Sequence, residues 1–161
     1  MDFLIELFKK FKAMDVHTVI DTSGAVFTRE DSFFSKFTEL MKYTDLLLVD
    51  IKHIDNEKHI ELTGRTNENI LDMLKYLSDI RKPVWIRHVL VPRKSDYDEY
   101  LVKTRDFIDT LDNVEKIEVL PYHTLGVTKW EQLGIPYELD GIDSPSQERV
   151  DNANRILKTG H

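Results

Sequence analysis

Four short apolar runs, each ending in polar residues, constrain this chain more than any other feature. The first, Val16-His-Thr-Val-Ile, leads into Asp21-Thr-Ser-Gly24. The second, Leu46-Leu-Leu-Val, ends in Asp50-Ile-Lys52. The third, Val84-Trp-Ile-Arg-His-Val-Leu90, carries an arginine and a histidine, and the fourth, Ile117-Glu-Val-Leu-Pro-Tyr, ends in His123. A buried parallel strand reads this way: an apolar segment that opens into a polar loop where it leaves the core. Four such strands, with polar groups near their C-terminal ends, describe one rim of a β/α fold. In folds of that class the chemistry sits on that rim.

Between the runs the pattern is helical. Residues 2–13 place Phe3, Leu4, Leu7, Phe8 and Phe11 on one face with lysines opposite, which predicts a helix before the first strand. Strands are expected near 16–20, 45–50, 84–90 and 114–120. Asp31-Ser32 can cap a helix over 33–42. A short helix over 55–62 ends at Gly64, and Thr66-Asn67 caps a longer one to about Arg81. Its inward residues are Ile70, Leu71, Leu74 and Leu77, and Pro83 breaks it from the third strand. Ser95-Asp96 opens a helix to about Leu111. The stretch 121–145 has little period and reads as an irregular functional loop or lid. Ser144-Pro145 starts the last helix with proline in its first turn, and Gly160 takes the cap position. The expected fold class is α/β, with four parallel strands, helices between them and right-handed crossovers. A doubly wound sheet and part of a barrel both fit that alternation.

The chain has 161 residues, 41% of them hydrophobic, which suits one domain. Its formal net charge is −7, and no Lys/Arg cluster forms a long stripe, so nucleic acid is not an expected partner. No apolar run reaches membrane-spanning length and no signal peptide is recognisable, which predicts a cytoplasmic protein without a membrane partner. There is no cysteine. That excludes a disulfide, a thiol nucleophile and any cysteine-ligated zinc or iron–sulfur cluster on this chain.

Several polar residues are candidates for chemistry. Asp21, Thr22 and Ser23 supply oxygens beside Gly24, which suits a hard cation or a ligand ammonium, or else a simple turn cap. Asp50 and Lys52 lie two apart and share a strand face, where they can pair or hold a zwitterion between them. Arg87 interrupts an apolar strand, so it must reach a carboxylate or a ligand. His88 faces the other way and reads as structural. His123 is a lone histidine at a strand end. His17, His53, His59 and His161 read as structural, and no H-x-H or H-x-x-x-H pair supports a zinc site.

Taken together, Asp21-Thr-Ser-Gly24, Leu48-Val-Asp-Ile-Lys52, Val84-Trp-Ile-Arg87 with Val91-Pro92, and the segment 114–130 ending in Lys129-Trp130 resemble the pyruvate formate-lyase activating enzyme family. The resemblance runs from the first helix to the last. It implies the C-terminal portion of a partial (β/α) TIM-type barrel, as a single domain over 1–161 that lacks the half bearing the cysteine motif. It implies a radical S-adenosylmethionine enzyme whose [4Fe-4S] cluster, held by C-x3-C-x2-C, cleaves S-adenosylmethionine. The resulting radical abstracts a hydrogen from the glycyl-radical loop of pyruvate formate-lyase.

The resemblance also assigns roles. Asp21, Thr22 and Asp50, with the Leu48 carbonyl, would line a monovalent cation site beside the cofactor carboxylate. Asp21, Asp50, Lys52 and His123 would bind the cofactor, and Lys52 and Arg87 would act catalytically beside cofactor and peptide. The cysteine motif is absent, so this polypeptide alone is expected to be inactive. An activase of another glycyl-radical enzyme and a noncatalytic peptide-binding module are the alternatives. A bared sheet edge would favour self-association.

Overall fold

A computed structural model describes residues 1–160, and His161 lies outside the described residues. Four strands form one sheet in the order β1-β2-β3-β4. They are β1 (Val19–Thr22), β2 (Leu46–Asp50), β3 (Val84–Leu90) and β4 (Val114–Pro121). Every neighbouring pair is parallel. The helices are α1 (Asp2–Ala13), α2 (Asp31–Met41), α3 (Asn56–Thr63), α4 (Glu68–Asp79), α5 (Asp98–Ile108), α6 (Val127–Leu133) and α7 (Gln147–Leu157). The strand order never reverses, so the sheet has no topological switch point of the doubly wound kind. The expected alternation therefore resolves into an arc of a β/α barrel. No helix among the described residues is long and apolar enough to cross a membrane.

Alternate residues of each strand divide the sheet into two unlike faces. Leu47, Val49, Ile86 and Leu90 are fully buried against the helices, with Ile70, Leu74, Leu77, Leu101 and Leu157 on the other side of that core. Asp50, Trp85, Arg87 and Val89 alternate with them and are only partly buried. Two side chains apart on a strand share a face, so this second face is continuous across β2 and β3. In β1 the residues in register with it, Val19 and Asp21, are exposed.

Local chemistry explains where element boundaries depart from the expectations. The first strand starts at Val19, not at Val16. Thr18 is tied instead to the start of β2: its N–H donates to Asp45 Oδ2 at 2.7 Å and its hydroxyl to the Tyr43 carbonyl at 2.5 Å. The second helix begins at Asp31 with Glu30 at its cap position, so Asp31 and Ser32 lie inside it. Ser95 does not open α5. It closes the preceding turn, donating to Val89 O and accepting from Val91 N–H, and α5 begins at Asp98 and stops at Ile108. Asn67 precedes α4 without a side-chain cap; its amide donates to the His53 and Ile54 carbonyls.

Two further differences lie in the C-terminal third. The stretch expected to be irregular contains a 3₁₀ turn (Thr124–Gly126) and α6. The last helix starts after Ser146, whose hydroxyl accepts from Arg149 N–H, so Pro145 lies before it. Its left-handed cap is Lys158, two residues before Gly160. By contrast, Gly64 ends α3 as expected, while Asp55 caps that helix instead of opening it.

The loop after β1 is anchored by Phe27, 1% exposed, which packs edge-on to Phe33, Phe34 and Phe37 and stacks near Tyr76. Gly24 begins that loop at φ +69°, and a Cβ there would lie 2.6 Å from the Met73 methyl. Left-handed geometry and close approach together explain glycine at this position.

Candidate functional site

Four of the residues singled out in the sequence meet on the open face, at the C-terminal ends of three adjacent strands. Asp50 and Arg87 are direct register partners across β2 and β3, and Asp21 sits opposite Leu48 on β1. Arg87 Nε donates to Asp50 Oδ1 at 2.9 Å. Its Nη1 donates to Asp21 Oδ2 at 2.9 Å, and Nη2 donates to Asp21 Oδ1. Lys52 Nζ lies 2.9 Å from Asp50 Oδ2. One guanidinium thus spans β1, β2 and β3, using the planar fork that only arginine offers.

Burial within the cluster is graded. The side chains of Asp50 and Arg87 are 15% and 17% exposed, while that of Asp21 is 61% exposed. Burial works against the charge of Arg87, but its hydrogen bonds to Asp21 and the charges of Asp50 and Asp21 outweigh it and raise its pKa. The cluster holds two carboxylates and two cations and is neutral as a whole. It can therefore exchange partners with a ligand that carries both charges, ammonium to the acids and carboxylate to Arg87 and Lys52.

The same arrangement tests the cation site that the resemblance implies. Oxygen donors suit a hard cation. Here all four carboxylate oxygens face Arg87 or Lys52, and the Thr22 hydroxyl accepts from Gly24 N–H at 3.0 Å. As arranged, every one of these carboxylate oxygens is already paired with a cationic side chain, so a cation entering here would have to displace Arg87 or Lys52. No group of three or more His, Asp or Glu that could hold a metal occurs among the described residues.

His123 stands apart. It precedes the 3₁₀ turn with an extended backbone, is exposed, and its ring makes no hydrogen bond among the described residues. The structure does not join it to the other four. His88 is structural as expected, on the helix side. It is 2% exposed, with Nδ1 2.9 Å from the Ile51 carbonyl and Nε2 3.0 Å from the Ser95 carbonyl, so it ties the loops after β2 and β3 together. Burial lowers its pKa despite those two carbonyl contacts.

Two polar additions to the open face were not singled out in the sequence. Lys116 lies 4.6 Å from the Trp85 ring centroid and 2.6 Å from Glu118, and Glu118 is the register partner of Arg87. The signal was period two: Trp85 is two residues before Arg87.

Comparison with known proteins gives the relationships. No protein-family model matches the chain. It is 56% identical over 157 residues to the pyruvate formate-lyase-activating enzyme of Staphylococcus epidermidis, covering 98% of this chain and 62% of that protein. With the enzyme of the same name from Listeria monocytogenes it is 52% identical over 159 residues, covering 99% of this chain and 64% of the other. The chain thus spans less than two thirds of these curated relatives. Among solved structures, a domain of the pyruvate formate-lyase-activating enzyme from Bacteroides vulgatus superposes with a TM-score of 0.78 at 24% identity, over 98% of this chain and 84% of that one. The radical SAM enzyme coproporphyrinogen III oxidase from Escherichia coli gives a TM-score of 0.63 at 15% identity, over 95% of this chain and 36% of that one. These two support the fold alone: a parallel arc of the partial-barrel kind.

Proposed function

The chain is a homologue of the pyruvate formate-lyase-activating enzymes over nearly its whole length, and on that premise we propose that it is the C-terminal portion of such an activase. In this reading its open face holds the aminoacyl end of S-adenosylmethionine and meets the glycyl-radical loop of pyruvate formate-lyase. The observation that carries the reading is the neutral cluster of Asp21, Asp50, Lys52 and Arg87 at the strand ends. A zwitterionic aminoacyl group matches two anions and two cations held a few ångströms apart. Asp50 and Asp21 take the ammonium, Lys52 takes the carboxylate as a point charge, and Arg87 swings between its acids and the ligand. His123, exposed just past the end of β4, would contact the cofactor as the resemblance implies.

In the family a [4Fe-4S] cluster supplies the electron that cleaves S-adenosylmethionine. This chain has no cysteine and does not fit that cluster. Its own residues bind and orient; by itself it has no activase activity. The free edge of β1, where Val19 is 41% exposed, supports self-association of the chain in solution. Light scattering that reports a monomer across a wide concentration range would contradict that part.

The test of the main reading is a titration of the chain with S-adenosylmethionine, followed by amide NMR. Weak, saturable shifts centred on residues 21, 50, 52 and 87 are expected, together with an additional response to a peptide of the glycyl-radical loop. Saturation with no shift in that cluster would sink the proposal.

A further inference from the structure

A second site lies on the helix side of the same rim, away from the Asp21–Arg87–Asp50 cluster. The loop after β2, helix α3, the loop after β3 and the start of α5 enclose a cavity of about 300 Å³. His53 forms part of its wall and is 2% exposed. Its Nδ1 accepts from Asp55 N–H at 3.1 Å, which leaves the ring proton on Nε2. That nitrogen is buried and has no partner among the described residues. Burial also lowers the pKa of the ring, which favours this neutral form. A buried N–H without an acceptor is uncommon and destabilising, so it points to a missing acceptor.

The charges around it point the same way. Lys58 is neutralised by Glu61, at 3.0 Å from both carboxylate oxygens. Arg93 and Lys94 are exposed and uncommitted: Arg93 reaches only the Gly141 carbonyl at 3.5 Å, and the Lys94 side chain has no partner among the described residues. Against these two cations the wall offers one further acid, Glu99. Arg93 is also held at φ +61°, pinned by its N–H on Asp96 Oδ1 at 2.8 Å. Left-handed geometry in a non-glycine residue persists where its surroundings impose it, commonly at ligand sites.

Glu61, Leu62 and Lys94 also line an adjacent cavity of about 390 Å³, whose walls include Trp130, Ile135, Tyr137, Glu138 and Leu139. Trp130 and Ile135 are 40% and 47% exposed. The two neighbouring cavities thus place Arg93 and Lys94 on one side and a mainly apolar wall, with Glu138 and Tyr137 in it, on the other.

We propose that these neighbouring cavities together bind a small amphipathic oxyanion. Its phosphate or carboxylate head sits between Arg93, Lys94 and the Nε2–H of His53, and its apolar or aromatic body lies against Trp130 and Ile135. The Tyr100 ring, edge-on to His53 with centroids 4.5 Å apart, lines the same cavity. No residue of the Asp21–Arg87–Asp50 cluster lines either cavity, so the two sites fail or stand separately.

The test is amide NMR of the chain titrated with phenyl phosphate, phenylacetate and inorganic phosphate. Phenyl phosphate or phenylacetate should give saturable shifts confined to residues 53–62, 91–100 and 130–139, and whichever binds tighter identifies the head. Inorganic phosphate should bind roughly tenfold more weakly, because it has no body. The double variant R93A/K94A, which alters two exposed side chains, should weaken binding roughly tenfold or more. His53→Gln, which keeps a donor amide, should bind within about threefold of the parent, and His53→Phe should lose roughly tenfold. Absence of saturable shifts up to about 10 mM, undiminished binding in R93A/K94A, or phosphate binding as tight as phenyl phosphate would overturn the proposal.

Discussion

The two faces of the one sheet are built from alternate residues of the same strands, yet they do different work. On the helix side, Leu47, Val49, Ile86 and Leu90 are fully buried, and the buried His88 ring has a carbonyl within hydrogen-bond distance of each nitrogen, of which the neutral ring donates to one. On the open side, Asp50 and Arg87 are ion-paired at partial burial and Asp21 is largely exposed. Parallel sheets usually hide both faces. A sheet that hides only one keeps its stability on that face and leaves the other free to exchange partners. A charged cluster is tolerable there because water still reaches it, and for the same reason it adds little to stability.

The largest effect should come from the covered face. Leu47→Ala should destabilise the chain by about 2–5 kcal/mol, read as a lower denaturant midpoint, whereas Leu48→Ala, in the next position and only half-buried, should cost less than about 1 kcal/mol. Equal losses would erase the distinction between the faces.

A second contrast sets the two ends of the strands apart. Asp45, at the N-terminal end of β2, has fixed partners: Lys12 Nζ at 2.8 Å, and the Thr18 N–H and hydroxyl. Burial raises its pKa, but Lys12 and Thr18 outweigh that and lower it from 3.8 to about 2. A depressed carboxylate pKa stabilises the fold above its unfolded value, and that contribution fades as pH falls from about 4 towards 2. Asp45→Asn should therefore remove roughly 2 kcal/mol at neutral pH and flatten the acid limb of the stability curve. A wild-type acid limb retained in the variant would show that other carboxylates set it.

Smaller again is Gly24→Ala, at the end of β1. The left-handed backbone and the Met73 methyl 2.6 Å from a new Cβ should cost about 1–2 kcal/mol. Thermal denaturation checks it; an unchanged melting temperature would mean that this loop relaxes freely. The smallest stability effect is expected for Asp50→Asn, below about 1 kcal/mol, because Asp50 is paired at a rim open to water.

How much of this was legible in the sequence follows the same division. The four strands could be read because burial on the helix side leaves apolar runs, and Asp21, Asp50, Lys52 and Arg87 could be read because they interrupt or end those runs. The two-residue spacing predicts that Asp50 and Lys52 meet, and they do, although β2 ends at Asp50 and Lys52 reaches it from the loop beyond. That one guanidinium would span two acids could not be read, since cross-strand register is absent from the chain's own order; Arg87 pointed equally to a carboxylate or a ligand. Helix α6 escaped because it is only seven residues long and largely exposed, so Val127, Trp130 and Leu133 are too few to set a period. Ser95 looked like a cap because serine favours caps and tight turns alike, and here it closes a turn.

The central claim is that the open face binds and the covered face holds the fold. The most direct measurement is an NMR titration with S-adenosylmethionine of the chain and of its Asp50→Asn variant, both first shown to melt alike. The account predicts shifts at residues 21, 50, 52 and 87, none at Leu47 or Ile86, and roughly tenfold weaker binding in the variant. Undiminished binding by Asp50→Asn, or shifts centred on the helix side of the sheet, would contradict it.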